Sequence, residues 1–156
     1  MLFRSSAIIA EGVVPAAVEM MDRLAIEAAK TQTPIDWDTE AALIVELDGP
    51  VSEVRSQFEH VTAICARCGS DDVRVAQSPE ERMIIWRARK SAFAAVGQLA
   101  PAYLVQDGVI PRTRLPEVLN GIKALADEAG VRVANVFHAG DGNLHPLVLY
   151  DNSIDG

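Results

Sequence analysis

The stretch that most restricts the fold of this chain lies near its end. VRVANVFHA and HPLVLYD are rich in β-branched and large apolar residues, and AGDGN stands between them. Such runs fit a pleated, half-buried strand. Asp-Gly and Gly-Asn are turn formers, because Gly, and Asn less readily, tolerates positive φ. The expectation is an antiparallel hairpin whose loop runs from Ala139 to Leu144. His138 and His145 would then stand at opposite ends of that loop, close across the hairpin mouth.

Upstream, strand-like and helix-like segments alternate, with no repeat, low-complexity tract or linker. Residues 1–11 read as a helix end stopped near Gly12. From Val14 to Met21 a helix could continue, but Pro15 and the valines favour a short strand. Asp22 caps a helix reaching Lys30. ALIVELDG (42–49) is nearly continuous in apolar residues, which predicts a strand covered on both faces. A helix follows from about Ser52 to Arg67, with Gly69 as its stop. DVRVAQ (72–77) alternates and predicts a half-buried strand. Ser78-Pro79-Glu80-Glu81 is the best helix start in the chain, with a capping residue, a proline in the first turn and a capping-box acid. AYLVQ (102–106) reads as a strand, and LPEVLNGIKALADEAG as an amphipathic helix stopped at Gly130. The fold class expected is α+β, one domain, with an antiparallel sheet covered by helices on one face.

Charge and composition remove several functions. The 22 acids outnumber the 14 bases, for a net charge of −8, and no Lys/Arg cluster could track a nucleic-acid backbone. No apolar run approaches the roughly 20 residues of a membrane helix. Glu11 interrupts the only signal-like stretch. A cytoplasmic or membrane-peripheral place is the default, and the 2 cysteines make no disulfide framework.

Paired imidazoles at a hairpin mouth suit a divalent cation such as zinc or manganese. The plain alternative is a turn without function and two histidines bonded to backbone. Asp141 is a candidate third ligand, although acids at hairpin tips are usually solvated. A helical zinc-protease pattern, with two histidines four apart and a glutamate between, is absent. Three classes stay open on the residues alone: an oxidoreductase site, a small metal-dependent hydrolase, and a catalytically silent binding or dimerisation module. Cys65 and Cys68 lie near a helix end with no second pair, and read as buried thiols. His60 reads as structural. Trp37, Trp86 and Phe93 read as packing.

FHAGDGNLHP closely resembles the histidine motif of the C-terminal, substrate-side cap domain of the FAD-linked oxidases, which include the FAD-linked subunit of glycolate oxidase and the D-lactate and D-2-hydroxyglutarate dehydrogenases. GVVPAAVEMMD (12–22), ELDG (46–49), RMIIWRARKSAFAAVG (82–97), QDGVIPRTRLP (106–116) and VRVANVFHAGDGNLHPL (131–147) match in the same order. The resemblance implies a ferredoxin-like, helix-decorated cap that closes over a flavin held by another domain. It implies that His138 and His145 bind a divalent cation with a glutamate from further downstream, and that the cation holds a 2-hydroxy acid. His145 is the candidate catalytic residue. Arg89, the natural clamp for a carboxylate, and Asn143 are the candidate substrate contacts. Some members carry a lysine near the next strand's end, where this chain has Val105. Asp107 and Pro111 are assigned only a part in loop shape.

On this reading residues 1–156 are a partial cap domain. The FAD-binding domain, the cap's first strand and the downstream glutamate would all lie outside the chain. Alone it is expected to hold FAD and metal weakly or not at all, and to turn over no substrate. Its expected partners are a 2-hydroxy acid, the FAD-binding domain and other glycolate oxidase-type subunits. An exposed sheet edge could also pair two copies.

Overall fold

The computed structural model describes residues 3–70 and 72–151. Its helix boundaries follow local chemistry. α1 (Phe3–Ala10) ends at Gly12, whose φ of 83° is the left-handed turn that a side chain resists. β1 (Ala17–Asp22) runs straight into α2 (Arg23–Lys30), where Asp22 Oδ1 accepts the Ala25 N–H at 3.0 Å. β2 (Ala41–Glu46) and α3 (Val51–Arg67) follow. α4 (Pro79–Val96) starts as expected: Ser78 Oγ accepts the Glu81 N–H at 3.2 Å. Glu81 answers on the Gln77 N–H, one residue outside the usual capping-box partner. Next come β3 (Ala102–Val105), β4 (Gly108–Val109), a 3-10 turn (Arg112–Arg114) and α5 (Leu115–Ala129), which ends on left-handed Gly130. β5 (Arg132–His138), β6 (Asn143–Leu144) and β7 (Pro146–Tyr150) form the terminal hairpin.

All strand pairs are antiparallel. Strands follow the order β2-β1-β5-β6-β4, and β7 pairs with both β5 and β3. The sheet does not close, so the fold is an open antiparallel α+β sheet as expected. The returning half of the hairpin keeps one register while splitting in two. Asn143 faces His138, and Pro146–Leu149 face Asn135–Arg132. The loop is therefore the four residues Ala139–Gly142, shorter than expected, because Asn143 already joins the ladder. Between the two segments β6 turns away to pair with β4.

Helices cover both faces of the sheet, not one. Met21, Ala134, Val136, Leu147 and Leu149 pack under α2 and α4. Val18, Met20, Phe137 and Leu144 pack against Leu115 and Leu119 of α5. Ile8, Val61 and Ile64 bring α1 and α3 onto Leu43 and Val45 of β2. Each fully buried large apolar side chain contributes about 1.5–3 kcal/mol, and Phe137, Met21, Ile26, Ile64, Leu115 and Leu147 are all within 1% of complete burial.

One other expectation differs from the structure, and one holds only in part. Residues 72–77 form no strand: Val73 and Val75 are exposed, and Arg74 pairs with Asp36 and Asp72, both at 2.6 Å. Alternation describes a strand only when a neighbour offers a ladder, and none does here. β2 has core on both faces, Ala42 and Ile44 against the α2–α4 cluster and Leu43 and Val45 against the α1, α3 and α5 side. It pairs only with β1 among the described residues, however, and beyond Ala41 it is half-buried.

Candidate functional site

The site is built on the α4 side of the sheet. Alternation along β1 puts Glu19 on the same face as Met21, and along β5 puts His138 on the same face as Val136. Glu19 and His138 are direct cross-strand partners, so their side chains meet. His138 Nδ1 donates to Glu19 Oε1 at 2.8 Å. The other carboxylate oxygen, Oε2, accepts from Arg89 of α4, at 3.0 Å from Nε and 2.8 Å from Nη2. Glu19 and Arg89 are both buried. A buried charge is tolerated when it is paired and hydrogen-bonded, and each satisfies the other.

His145 sits where β6 gives way to β7. Its Nδ1 lies 2.5 Å from Asp107 Oδ1, in the turn between β3 and β4. Ring centroids of His138 and His145 are 5.7 Å apart, with the planes nearly perpendicular, and Phe93 meets the His145 ring edge-on at 6.0 Å. A carboxylate oxygen only accepts, so each Nδ1 carries the hydrogen, and in the neutral ring each Nε2 then keeps its lone pair. Both rings line one cavity of about 350 Å³, together with Glu19, Arg89, Lys90, Trp86 and Phe93. The α4 residues are spaced i, i+3, i+4 and i+7, one face of a helix. A second cavity of about 390 Å³ lies on the other side of His138, towards Arg112 and Asp141.

Of the residues expected at a site, the fold brings together Arg89, His138 and His145. Asn143 is elsewhere: it lines neither cavity, and its backbone pairs with His138 and Val109. Asp141 is exposed on the second cavity, away from His145. Val105 is exposed on β3. His60 binds Glu11 across α3 and α1, and Cys65 and Cys68 pack beside the α1–α3 cluster. Trp37 packs on the core, whereas Trp86 and Phe93 also line the cavity. Two residues outside the expected set complete the site. Glu19 had a sequence signal, an acid flanked on both sides by apolar strand residues in AVEMM, which demands a partner once buried. Asp107, read only as loop shape, holds His145.

Below the site, Asp22 ties β1 to β5 by accepting from Asn135 N and Nδ2 at 2.7 and 2.9 Å. Burial pushes its carboxyl above the usual range, and the bonds from Ala25 and Asn135 pull it back in part.

Residues 4–156 match the family described as FAD linked oxidases, C-terminal domain. The chain belongs to that family. It is 49% identical over 151 residues to the glycolate oxidase subunit GlcD of Escherichia coli (strain K12), covering 96% of this chain and 30% of that protein. It is 32% identical to the Bacillus subtilis (strain 168) glycolate oxidase subunit GlcD, over 94% of this chain and 32% of the relative. The mitochondrial D-lactate dehydrogenase [cytochrome] of Arabidopsis thaliana is 27% identical, over 91% and 25%. The chain thus spans about a third or less of the length of these relatives. Among the described residues no helix is long and apolar enough to cross a membrane.

For a cation the chain offers two imidazole nitrogens whose Nδ1 atoms are held by carboxylates, the arrangement that orients metal-binding histidines. The donors fit such an ion in kind. In number they do not complete a shell, because the described residues hold no group of three or more His, Cys, Asp or Glu placed to bind one.

Proposed function

We propose that this chain forms the substrate-side half of an FAD-dependent 2-hydroxy-acid oxidoreductase of the glycolate or D-lactate type. The observation that carries the reading is the convergence of Arg89, His138 and His145 on one cavity. The family membership supplies the flavin context, and the relatives' names supply the substrate class. A silent dimerisation module would have no use for a buried arginine aimed into a cavity between two oriented imidazoles.

Arg89 binds the carboxylate of the substrate through the N–H groups that Glu19 leaves unused. Lys90 adds a second positive charge at the rim. Trp86 and Phe93 form apolar walls that exclude water around the reacting carbon. His138 and His145 offer Nε2 to a divalent cation, with the remaining ligands coming from substrate, water or groups beyond the described residues. A bound flavin would supply the hydride acceptor, and a cation held by His138 and His145 would acidify the substrate hydroxyl, whose proton would leave to solvent or to a base beyond the described residues. His145 Nε2 has one lone pair, so ligation and proton abstraction exclude each other, and we assign it to the cation. The FAD-binding domain and any further subunits belong to the larger protein. Asn143, paired with His138 across the turn, is assigned to holding that turn.

The test is Mn²⁺ binding to the purified chain, followed by electron paramagnetic resonance. Weak binding is expected in the wild type, is lost in His138→Ala and His145→Ala, and is strengthened by glycolate only while Arg89 is present. Equal affinity in the wild type and both histidine variants removes the cation role, and a glycolate effect that survives Arg89→Met removes the clamp.

A further inference from the structure

We infer that Glu19 is a positioning residue: it sets the tautomer of His138 and the pose of Arg89, so that one carboxylate aligns the anion-binding and cation-binding halves of the cavity. The inference rests on the reading above for what those halves bind, but not for the alignment itself.

The division of labour between the two oxygens carries it. Oε2 alone takes both contacts from Arg89, Nε and Nη2. Neutralising a buried arginine requires nothing more. Oε1 is directed to His138 Nδ1 at 2.8 Å, although His138 is half-exposed and could find water. The pairing is imposed by register, since Glu19 and His138 are opposite one another on β1 and β5. Glu19 is itself buried and its two oxygens are occupied.

Each contact leaves one functional atom set defined. Arg89 spends the Nε hydrogen and one on Nη2, keeping both Nη1 hydrogens and the second on Nη2. That remaining edge is the one a second carboxylate can approach. His138 gives its Nδ1 hydrogen to Glu19, which in the neutral ring leaves Nε2 as a lone pair instead of an N–H.

The isosteric variant Glu19→Gln tests this. Its amide has one acceptor oxygen and one donor nitrogen. Charged Arg89 is the stronger donor and retains the oxygen, so the amide NH₂ turns to His138. His138 then becomes an acceptor at Nδ1 and carries its hydrogen on Nε2. On ¹⁵N-labelled full chain, long-range ¹H–¹⁵N correlations recorded on the neutral ring read the tautomer without any metal. Nδ1–H is expected for His138 in the wild type and in Glu19→Asp, and Nε2–H in Glu19→Gln. Mn²⁺ affinity should fall by about 10–100-fold in Glu19→Gln and recover in part in Glu19→Asp.

An Nε2–H tautomer in the wild type overturns the inference. So does a folded Glu19→Gln chain, with a native-like amide spectrum, that keeps the wild-type tautomer. If Glu19→Gln does not fold, the wild-type spectrum and Glu19→Asp decide. If the wild type binds no Mn²⁺ but the tautomer inverts as expected, the cation reading falls and the positioning role of Glu19 stands.

Discussion

Arg89 and Glu19 illustrate how a buried pair constrains single residues. Removing one partner leaves the other as an uncompensated buried charge, which costs about 3–5 kcal/mol. Arg89→Met should therefore destabilise the chain by that order in urea denaturation. The double variant Glu19→Gln/Arg89→Met should cost clearly less than the two single effects added together. Simple additivity would mean the pair is not coupled. Asp22 makes a second prediction, on pH. Burial raises its folded-state pKa above the ordinary 3.8, so between the two values the native state binds more protons than the unfolded one. Its contribution to stability is fully present below 3.8 and is lost as pH rises through the raised folded value. In Asp22→Asn that component of the pH dependence disappears, and melting curves from about pH 7 down to pH 4 should read the flattened difference. Arg89 and the histidines were legible in the sequence because their chemistry is local to recognisable motifs. Glu19 was harder to see: its partners lie 70 and 119 positions away, and only the β1–β5 register brings them together.

At the scale of elements, the turn that presents the two imidazoles is the most demanding piece of backbone. Gly142 has φ 72°, and a Cβ there would lie 2.2 Å from the Ile110 carbonyl oxygen. Gly140 has no such conformation, and its nearest neighbour, Val18 Cβ, would be at 3.5 Å, an ordinary contact. Gly142→Ala should cost about 1–3 kcal/mol or more and weaken Mn²⁺ binding, because β4 and both histidines are tied to this turn. Gly140→Ala should leave both nearly unchanged. Similar losses in the two variants would show that conformation at 142 is not the constraint. Element ends were readable for the same local reason: Asp22, Ser78 and Gly130 terminate helices by chemistry within a few residues. Where neighbours decide, the sequence was silent. DVRVAQ has the alternation of a strand but no ladder to join. The apolar run of β2 reports cover on both faces but not the strand's place in the sheet, which is at the edge among the described strands. The six-residue loop shrinks to four because Asn143 pairs with His138.

Across the whole molecule, the site draws on β1, α4, the β3–β4 turn and both arms of the terminal hairpin, so it exists only when all of them are assembled. A cation held by His138 and His145 would bind the native chain far better than the unfolded one, and binding must then appear as stability. At a free concentration of about 100 Kd, the gain is about 2.7 kcal/mol. For a chain of 156 residues, each kcal/mol moves the melting temperature by roughly 2–4 °C. Saturating Mn²⁺ should therefore raise Tm by roughly 5–11 °C, a chelator should reverse it, and His138→Ala should abolish it. The sign separates a site from incidental contact. Metal that binds unfolded histidines equally well would leave Tm unchanged or lower it. A shift of the same size in His138→Ala would place the bound ion somewhere other than between the two imidazoles.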